Sequence, residues 1–96
     1  MQVVMVEFAV GTDKLDACVT ALKGITGTLV AAQPQFHGAT VHVEHATGTV
    51  LNYMLWDTHQ DFINFRDGNA EKIGEVLGEF GPKGRMLDVV AEIPKK

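Results

Sequence analysis

Val50-Leu51-Asn52-Tyr53-Met54-Leu55-Trp56 is an apolar run interrupted by a single amide, and its reading decides the fold. The run is short and ends at Asp57-Thr58, which identifies it as a strand rather than a helix. Side chains alternate along a strand, so Asn52, Met54 and Trp56 point one way and Leu51, Tyr53 and Leu55 the other. Both faces are therefore largely apolar. One is expected to lie under helices and the other to meet a second sheet, as in a dimer whose two sheets pack into a barrel.

Working outward, Ala46-Thr47-Gly48-Thr49 is a compact turn, and Ala39 to His45 alternates small or β-branched residues with polar ones, which predicts an antiparallel hairpin. Before Pro34, Leu15, Cys18, Val19, Leu22 and Ile25 recur at helical spacing, from a cap at Thr12 or Asp13 to about residue 31. Gly24 and Gly27 weaken the end of that helix by about 1 kcal/mol each relative to Ala. Residues 2–10, rich in Val and Phe and stopped by Gly11-Thr12, form the first strand.

Downstream, Thr58 with Asp61 resembles a capping box in which Asp replaces Glu or Gln. The helix it opens carries Phe62, Phe65, Asn69, Ile73, Val76, Leu77 and Phe80, with Gly68 as an irregularity and Gly81-Pro82 as the stop. Met86 to Ile93 then reads as a fourth strand, followed by a Pro94-Lys95-Lys96 tail. The order β-α-β-β-α-β is that of the ferredoxin-like α+β fold: one domain over 1–96, with two helices on one face of a four-stranded antiparallel sheet.

Composition narrows the function. The chain has 96 residues, 46% of them hydrophobic, and 12 acidic against 8 basic side chains give a net charge of −4. No basic patch offsets the acidic balance, so nucleic acid is not an expected partner. Cys18, the single cysteine, permits neither an intrachain disulfide nor a thiolate zinc site, which points to a reducing compartment. The first residues lack the charged start of a signal peptide, and no apolar stretch approaches the ~20 residues of a membrane span. The expectation is a cytoplasmic protein without a membrane partner. The absence of GxGxxG, GxxxxGK[ST] and HExxH leaves nucleotide cofactors and zinc hydrolysis without local support.

Several polar residues stand where chemistry or plain structure would explain them. Asn52 lies among apolar neighbours, where an unpartnered amide costs roughly 1–3 kcal/mol, so it binds either a substrate oxygen or a nearby structural group. Trp56 brings an apolar ring and one N–H donor, suited to stacking on an aromatic substrate or to core packing. His37, His42 and His45 gather around the second strand. His42 and Glu44 share a face but supply only two convergent ligands, so no metal is assigned, and solvated or interface positions are the bland reading. His42 is the candidate general base, because an unperturbed imidazole titrates near neutrality. Glu7, an acid in an apolar strand, is either a proton acceptor or the partner of Arg66 or Arg85. Cys18, Met5, Met54 and Met86 read as core filler.

Together these features resemble the antibiotic biosynthesis monooxygenase family, a branch of the dimeric α+β barrels. The resemblance spans most of the chain. It rests on the element order, on Gln33-Pro34-Gln35-Phe36 before the second strand, and on Asn52-Tyr53-Met54-Leu55-Trp56-Asp57-Thr58 followed by Asp61, Phe62 and Phe65. In the family's cofactor-free oxygenases of aromatic polyketides, an Asn and a Trp four apart on the third strand line the substrate cavity, a spacing that Asn52 and Trp56 reproduce. The resemblance implies a homodimer that oxidises a phenol or hydroquinone with O2 and no cofactor. Asn52, Trp56, His42 and Glu7 would be catalytic, and Met54, Phe62, Phe65 and Arg66 would bind substrate. The haem-degrading branch requires an Asn on the first strand and a His on the second helix. Residues 1–10 contain no Asn and no His follows His59, so haem is not expected. Phe62 stands about where some polyketide oxygenases carry a phenol, and it has no proton to donate. The alternative is a non-oxidative dimer that binds a small ligand or acts as a polyketide cyclase.

Overall fold

Gln2–Ala9 forms the first strand (β1) in the computed structural model, which describes residues 1–96. A 3₁₀ turn at Thr12–Lys14 leads into helix α1, Leu15–Ile25, which continues as a π-helical turn over Thr26–Val30. Strand β2 is Phe36–Glu44 and β3 is Thr49–Trp56; helices α2, His59–Gly68, and α3, Ala70–Leu77, follow, and strand β4 is Lys83–Leu87. The four strands run antiparallel in the order β2-β3-β1-β4, the split βαβ topology that the element order predicts. No helix is long and apolar enough to cross a membrane.

The alternation read from β3 is realised residue by residue. Val50, Asn52, Met54 and Trp56 are buried, whereas Leu51, Tyr53 and Leu55 are only half-buried. Register carries this parity across the sheet: Val4, Val6 and Phe8 of β1 pair with Met54, Asn52 and Val50, and Val41 and Val43 of β2 pair with Asn52 and Val50. These residues form the face beneath the helices. From α1, Leu15, Cys18, Leu22 and Ile25 descend onto it at helical spacing.

The core has two parts. Phe8, Leu15, Cys18, Leu22, Ile25, Val50, Leu77 and Phe80 pack as one cluster, and Val4, Val30, Met54, Trp56, Phe62 and Phe65 as another. Asn52 sits between Val50 of the first and Met54 of the second, at the seam.

Three boundaries differ from the sequence expectation. The helix expected to run from Thr58 to Phe80 is divided at Asn69, which leaves helical geometry (φ −127°, ψ 20°), so the chain has three α-helices rather than two. Asn69 Nδ2 donates to the Phe65 carbonyl at 2.9 Å, satisfying a group that the break would otherwise orphan. The fourth strand is Lys83–Leu87 rather than 86–93, because β1 pairs Val3 to Glu7 with Leu87 to Lys83. Met86 is accordingly 38% exposed and is not core filler. Strand β2 begins earlier than Ala39, at Phe36, with a bulge between Phe36 and Gly38.

Thr58 caps the helix, but the reciprocal half of the capping box does not form, because the Asp61 carboxylate takes the Thr58 hydroxyl instead of the Thr58 backbone N–H. Thr58 Oγ1 accepts the Asp61 N–H at 3.1 Å and donates to the Asp61 carboxylate at 2.9 Å.

The β2–β3 turn is locked against the end of β1. Gly48 has φ 70°, its carbonyl accepts the Val10 and Gly11 N–H groups, and a Cβ on it would lie 2.1 Å from the Gly11 carbonyl carbon. Gly48→Ala combines left-handed strain with a backbone clash and is expected to lower stability by at least about 2 kcal/mol. Urea denaturation measures this; an unchanged midpoint would mean that the turn moves away freely.

Cys18 is fully buried and free. Burial pushes its thiol pKa above the usual thiol range. The folded state therefore holds the proton to higher pH than the unfolded chain. This contribution to stability is intact below the ordinary thiol pKa and is lost as pH rises toward the folded value. Native protein is expected to resist a disulfide thiol reagent at about pH 8, where an accessible thiol is partly ionised, and to react only on unfolding. Rapid labelling of folded protein would reveal local opening of α1.

Candidate active site

A cavity of about 320 Å³ opens along the seam between the two core clusters. Its walls are mostly apolar, with Val4, Val6 and Phe8 from β1, Met54 from β3, Leu22 and Ile25 from α1, and Phe62 and Phe65 from α2. Its volume lies within the range of small-molecule sites, as does its apolar lining with few polar groups. The exposed lining residues Arg66, Pro82, Gly84, Arg85 and Met86 mark the opening.

Asn52 is the buried polar group of β3 on this wall, 3% exposed. Its Nδ2 donates to Thr26 Oγ1 at 3.3 Å, and its Oδ1 has no partner. Thr26 also lines the cavity. It opens the π-helical turn, closed by the Ala31 N–H on the Thr26 carbonyl at 2.9 Å. In an α-helix each step of four residues drifts by about 40°. The wider π turn takes up that drift, so Leu22, Thr26 and Val30 all reach the same cavity. Nothing in the sequence distinguishes Thr26 from any other helical threonine, and only the cross-element bond to Asn52 reveals it.

Trp56 is fully buried but does not line the cavity. It packs edge-on to Phe36 and Phe62 at 5.5 and 5.7 Å and tilted against Phe65 at 5.5 Å. Phe62 and Phe65 form the wall in front of it. Its Nε1 is without a partner, so the only two unsatisfied buried side-chain polar atoms belong to Asn52 and Trp56.

The remaining candidates divide by face. Met54, Phe62, Phe65 and Arg66 meet at the cavity, with the Arg66 guanidinium 6.0 Å from the Phe62 ring centre and 3.2 Å from Asp67. Glu7 and His42 do not join them. Glu7 pairs with Leu51 in register, which places it on the sheet face away from the helices, where Arg85 reaches it at 3.4 Å. His42 is also opposite Leu51, is exposed, and bonds Thr40 Oγ1 at 2.8 Å. The sheet separates both residues from the cavity, which corrects the expectation that either is its proton acceptor. His37 pairs with Asp57, and no three potential metal ligands converge.

An antiparallel sheet under helices, with a cavity on its covered face, defines the class: a ferredoxin-like α+β protein with an internal cavity. The particular relatives follow from comparison with solved structures. A monooxygenase from Streptomyces coelicolor, from the gene ActVA-Orf6 and bound to nanaomycin D, superposes with a TM-score of 0.76 at 24% identity, over 99% of this chain and 92% of its own. SnoaB, a cofactor-independent oxygenase from Streptomyces nogalater, gives 0.76 at 14% identity, covering 98% of each chain. An antibiotic biosynthesis monooxygenase gives 0.72 at 9% identity, over 95% of this chain and all of its own. The chain thus has the fold of the antibiotic biosynthesis monooxygenases. No family model and no curated protein sequence matches it.

Proposed function

We propose that the protein is a cofactor-independent monooxygenase that hydroxylates an aromatic hydroquinone with O2 in the cavity at Asn52. The observation that carries this reading is Asn52, a buried amide on the wall of a mostly apolar cavity. A ring oxygen reaching that wall would find in the amide a buried polar partner. Phe62, Phe65 and Met54 supply the apolar surface for the ring, held from behind by Trp56. The relatives' names agree: one is a cofactor-independent oxygenase and another is bound to nanaomycin D.

Neither carboxylate nor imidazole lines the cavity. The inner hydroxyl is held by Asn52, and the outer one, toward the opening, loses its proton to water beside the Arg66 charge. The hydroquinone anion then donates an electron to O2, and recombination forms a ring C–O bond. Loss of water leaves a hydroxyquinone. One oxygen atom enters the ring and the other leaves as water, and the substrate supplies all four electrons: two from the hydroquinone-to-quinone change and two from C–H to C–OH. The chain's task is to bind, orient and exclude water from the reacting ring.

The reading includes a homodimer. On the face away from the helices, Met5, Leu51, Tyr53 and Leu55 of the two central strands form an apolar stripe, interrupted beside Leu51 by Glu7, which Arg85 reaches. The edge strands flank it with Thr40, His42 and Glu44 on one side and Lys83 and Arg85 on the other, the apolar centre and polar rim of an interface.

The test is incubation of a naphthohydroquinone with isotopically labelled O2, followed by mass spectrometry of the product. One labelled oxygen in the ring, dependent on the protein, is the expected result. The lack of a titratable base in the cavity favours a second reading, in which the site binds its ligand without oxidising it. Binding with no incorporation of label, or equal conversion without O2, would establish that alternative.

A further inference from the structure

We infer that residues 88–93 form an exchanged arm, which leaves its own sheet and adds as a further strand along the free edge of β2 in a second copy of this chain. The inference rests on the homodimer reading and says how the two copies are joined. It starts from a strand left without a partner. Met86 to Ile93 has the sequence pattern of a strand, yet only Met86 and Leu87 of it pair, with Val4 and Val3. Beyond Leu87 the backbone makes no hydrogen bond, and Gln2 Nε2 reaches the Asp88 carboxylate at 3.4 Å by side chain alone. Val90 and Ile93 are 93% and 91% exposed. Period-two alternation groups Val89, Ala91 and Ile93 in one row with Leu87, whose register with Val3 belongs to the face away from the helices, and Asp88, Val90 and Glu92 in the other. One apolar row and one largely charged row suit a strand that is buried on a single side.

The same chain offers an edge without a neighbour. β2 lies at one margin of the sheet and pairs only with β3, so the N–H and C=O groups of its outer side have no strand to meet. Such edges are commonly protected by charged side chains or proline. β4 has Pro82, Lys83 and Arg85 along it, whereas β2, nine residues from Phe36 to Glu44, contains no Lys, Arg or Pro. That difference selects β2 over β4 as the seat of the arm. Within one chain the two do not meet: β2 and β4 are opposite margins with β3 and β1 between them, and the arm stands clear of the sheet. In a two-fold dimer each copy gives its arm and receives the other. The arm brings Asp88 and Glu92 to a strand that carries His37 and His42 and a single carboxylate, Glu44. A stable dimer buries about 800 Å² of each partner. The stripe at Met5, Leu51, Tyr53 and Leu55 offers only a few half-buried side chains toward that area, and two arms on two edges add to it through backbone pairing.

The experiment compares wild-type protein with the double variant Val90→Pro, Ala91→Pro in the full chain, by sedimentation equilibrium and by hydrogen exchange read by mass spectrometry. Successive N–H groups of a strand point to opposite sides, so one of two adjacent residues donates to the edge whichever way the arm lies, and proline removes that donor. Both positions are exposed and outside every helix and strand, so the fold of the single chain is not engaged. The dissociation constant of the dimer is expected to rise about tenfold or more, and the outward amides of 39–43 in β2 should exchange faster by a similar factor. Equal dissociation constants overturn the inference and leave a face-to-face dimer standing. A weakened dimer with exchange in 39–43 unchanged also overturns it, since the arm then sits elsewhere on the partner. Wild-type protein that sediments as a single chain removes the homodimer reading, and the inference with it.

Discussion

Asn52→Ala is expected to lower turnover of a naphthohydroquinone about a hundredfold while leaving the thermal midpoint unchanged or slightly raised. The activity loss follows from positioning: without the buried acceptor, the ring can rotate and slide along an apolar wall, and small misplacements of reacting atoms cost about this much. The stability effect has the opposite sign from most buried substitutions. Asn52 is 3% exposed, yet its only bond is the one to Thr26 and its Oδ1 is empty, a burden of about 1–3 kcal/mol on the unliganded fold. Removing the amide removes that burden, offset by lost contacts and the stranded Thr26 hydroxyl. Oxygen uptake and scanning calorimetry on the same preparation separate the two readings of this residue. A midpoint that falls by several degrees with turnover intact would make Asn52 a structural tie between β3 and α1 and withdraw it from the site.

What the sequence reveals of this site is what a single strand can reveal. Alternation along β3 assigns Asn52 to the covered face, and an amide among Val50, Met54 and Trp56 announces itself by being out of place. The same arithmetic, carried one strand further, also separates the faces: Glu7 alternates with Phe8, and His42 with Val41 and Val43. The registers Phe8 to Val50 and Val43 to Val50 then send Glu7 and His42 to the open side. The chemistry of an acid and an imidazole suggests a proton acceptor, and pairing geometry sets both on the face away from the cavity.

Other features depend on contacts that no local pattern encodes. Lys83-Gly84-Arg85 precedes the strand read from Met86 and adds no apolar residue to it, yet an edge strand needs only backbone pairing, which β1 provides. The break at Asn69 depends on its side chain reaching the Phe65 carbonyl. Thr26 matters only because the π turn brings it over Asn52, and Trp56 sits behind the wall rather than in it because Phe62 and Phe65 are packed in front. Strand identity was legible because it is a periodicity. Membership of a cavity is a property of several elements at once.

Leu55→Lys is expected to split the proposed dimer, raising its dissociation constant by about 10³-fold or more. Leu55 lies on the open face opposite Val3 and Gly38, with no acidic group among its register partners to receive an ammonium. In a lone chain this position is half-exposed, and the flexible lysine stem lifts its charge into water, so folding is little affected. In a two-fold interface the substitution occurs twice, and each uncompensated charge removed from water costs about 3 kcal/mol, which together accounts for about four decades in affinity. Sedimentation equilibrium at micromolar concentration should give the wild type twice the chain mass of 10.4 kDa and the variant 10.4 kDa. Because the cavity is walled within one chain, the separated variant should still bind a naphthohydroquinone. Wild-type protein sedimenting as a single chain would leave Met5, Tyr53 and Leu55 facing water without a partner and would remove the sheet-to-sheet pairing from the proposal, while the Asn52 cavity, on the other side of the sheet, would stand or fall on its own tests.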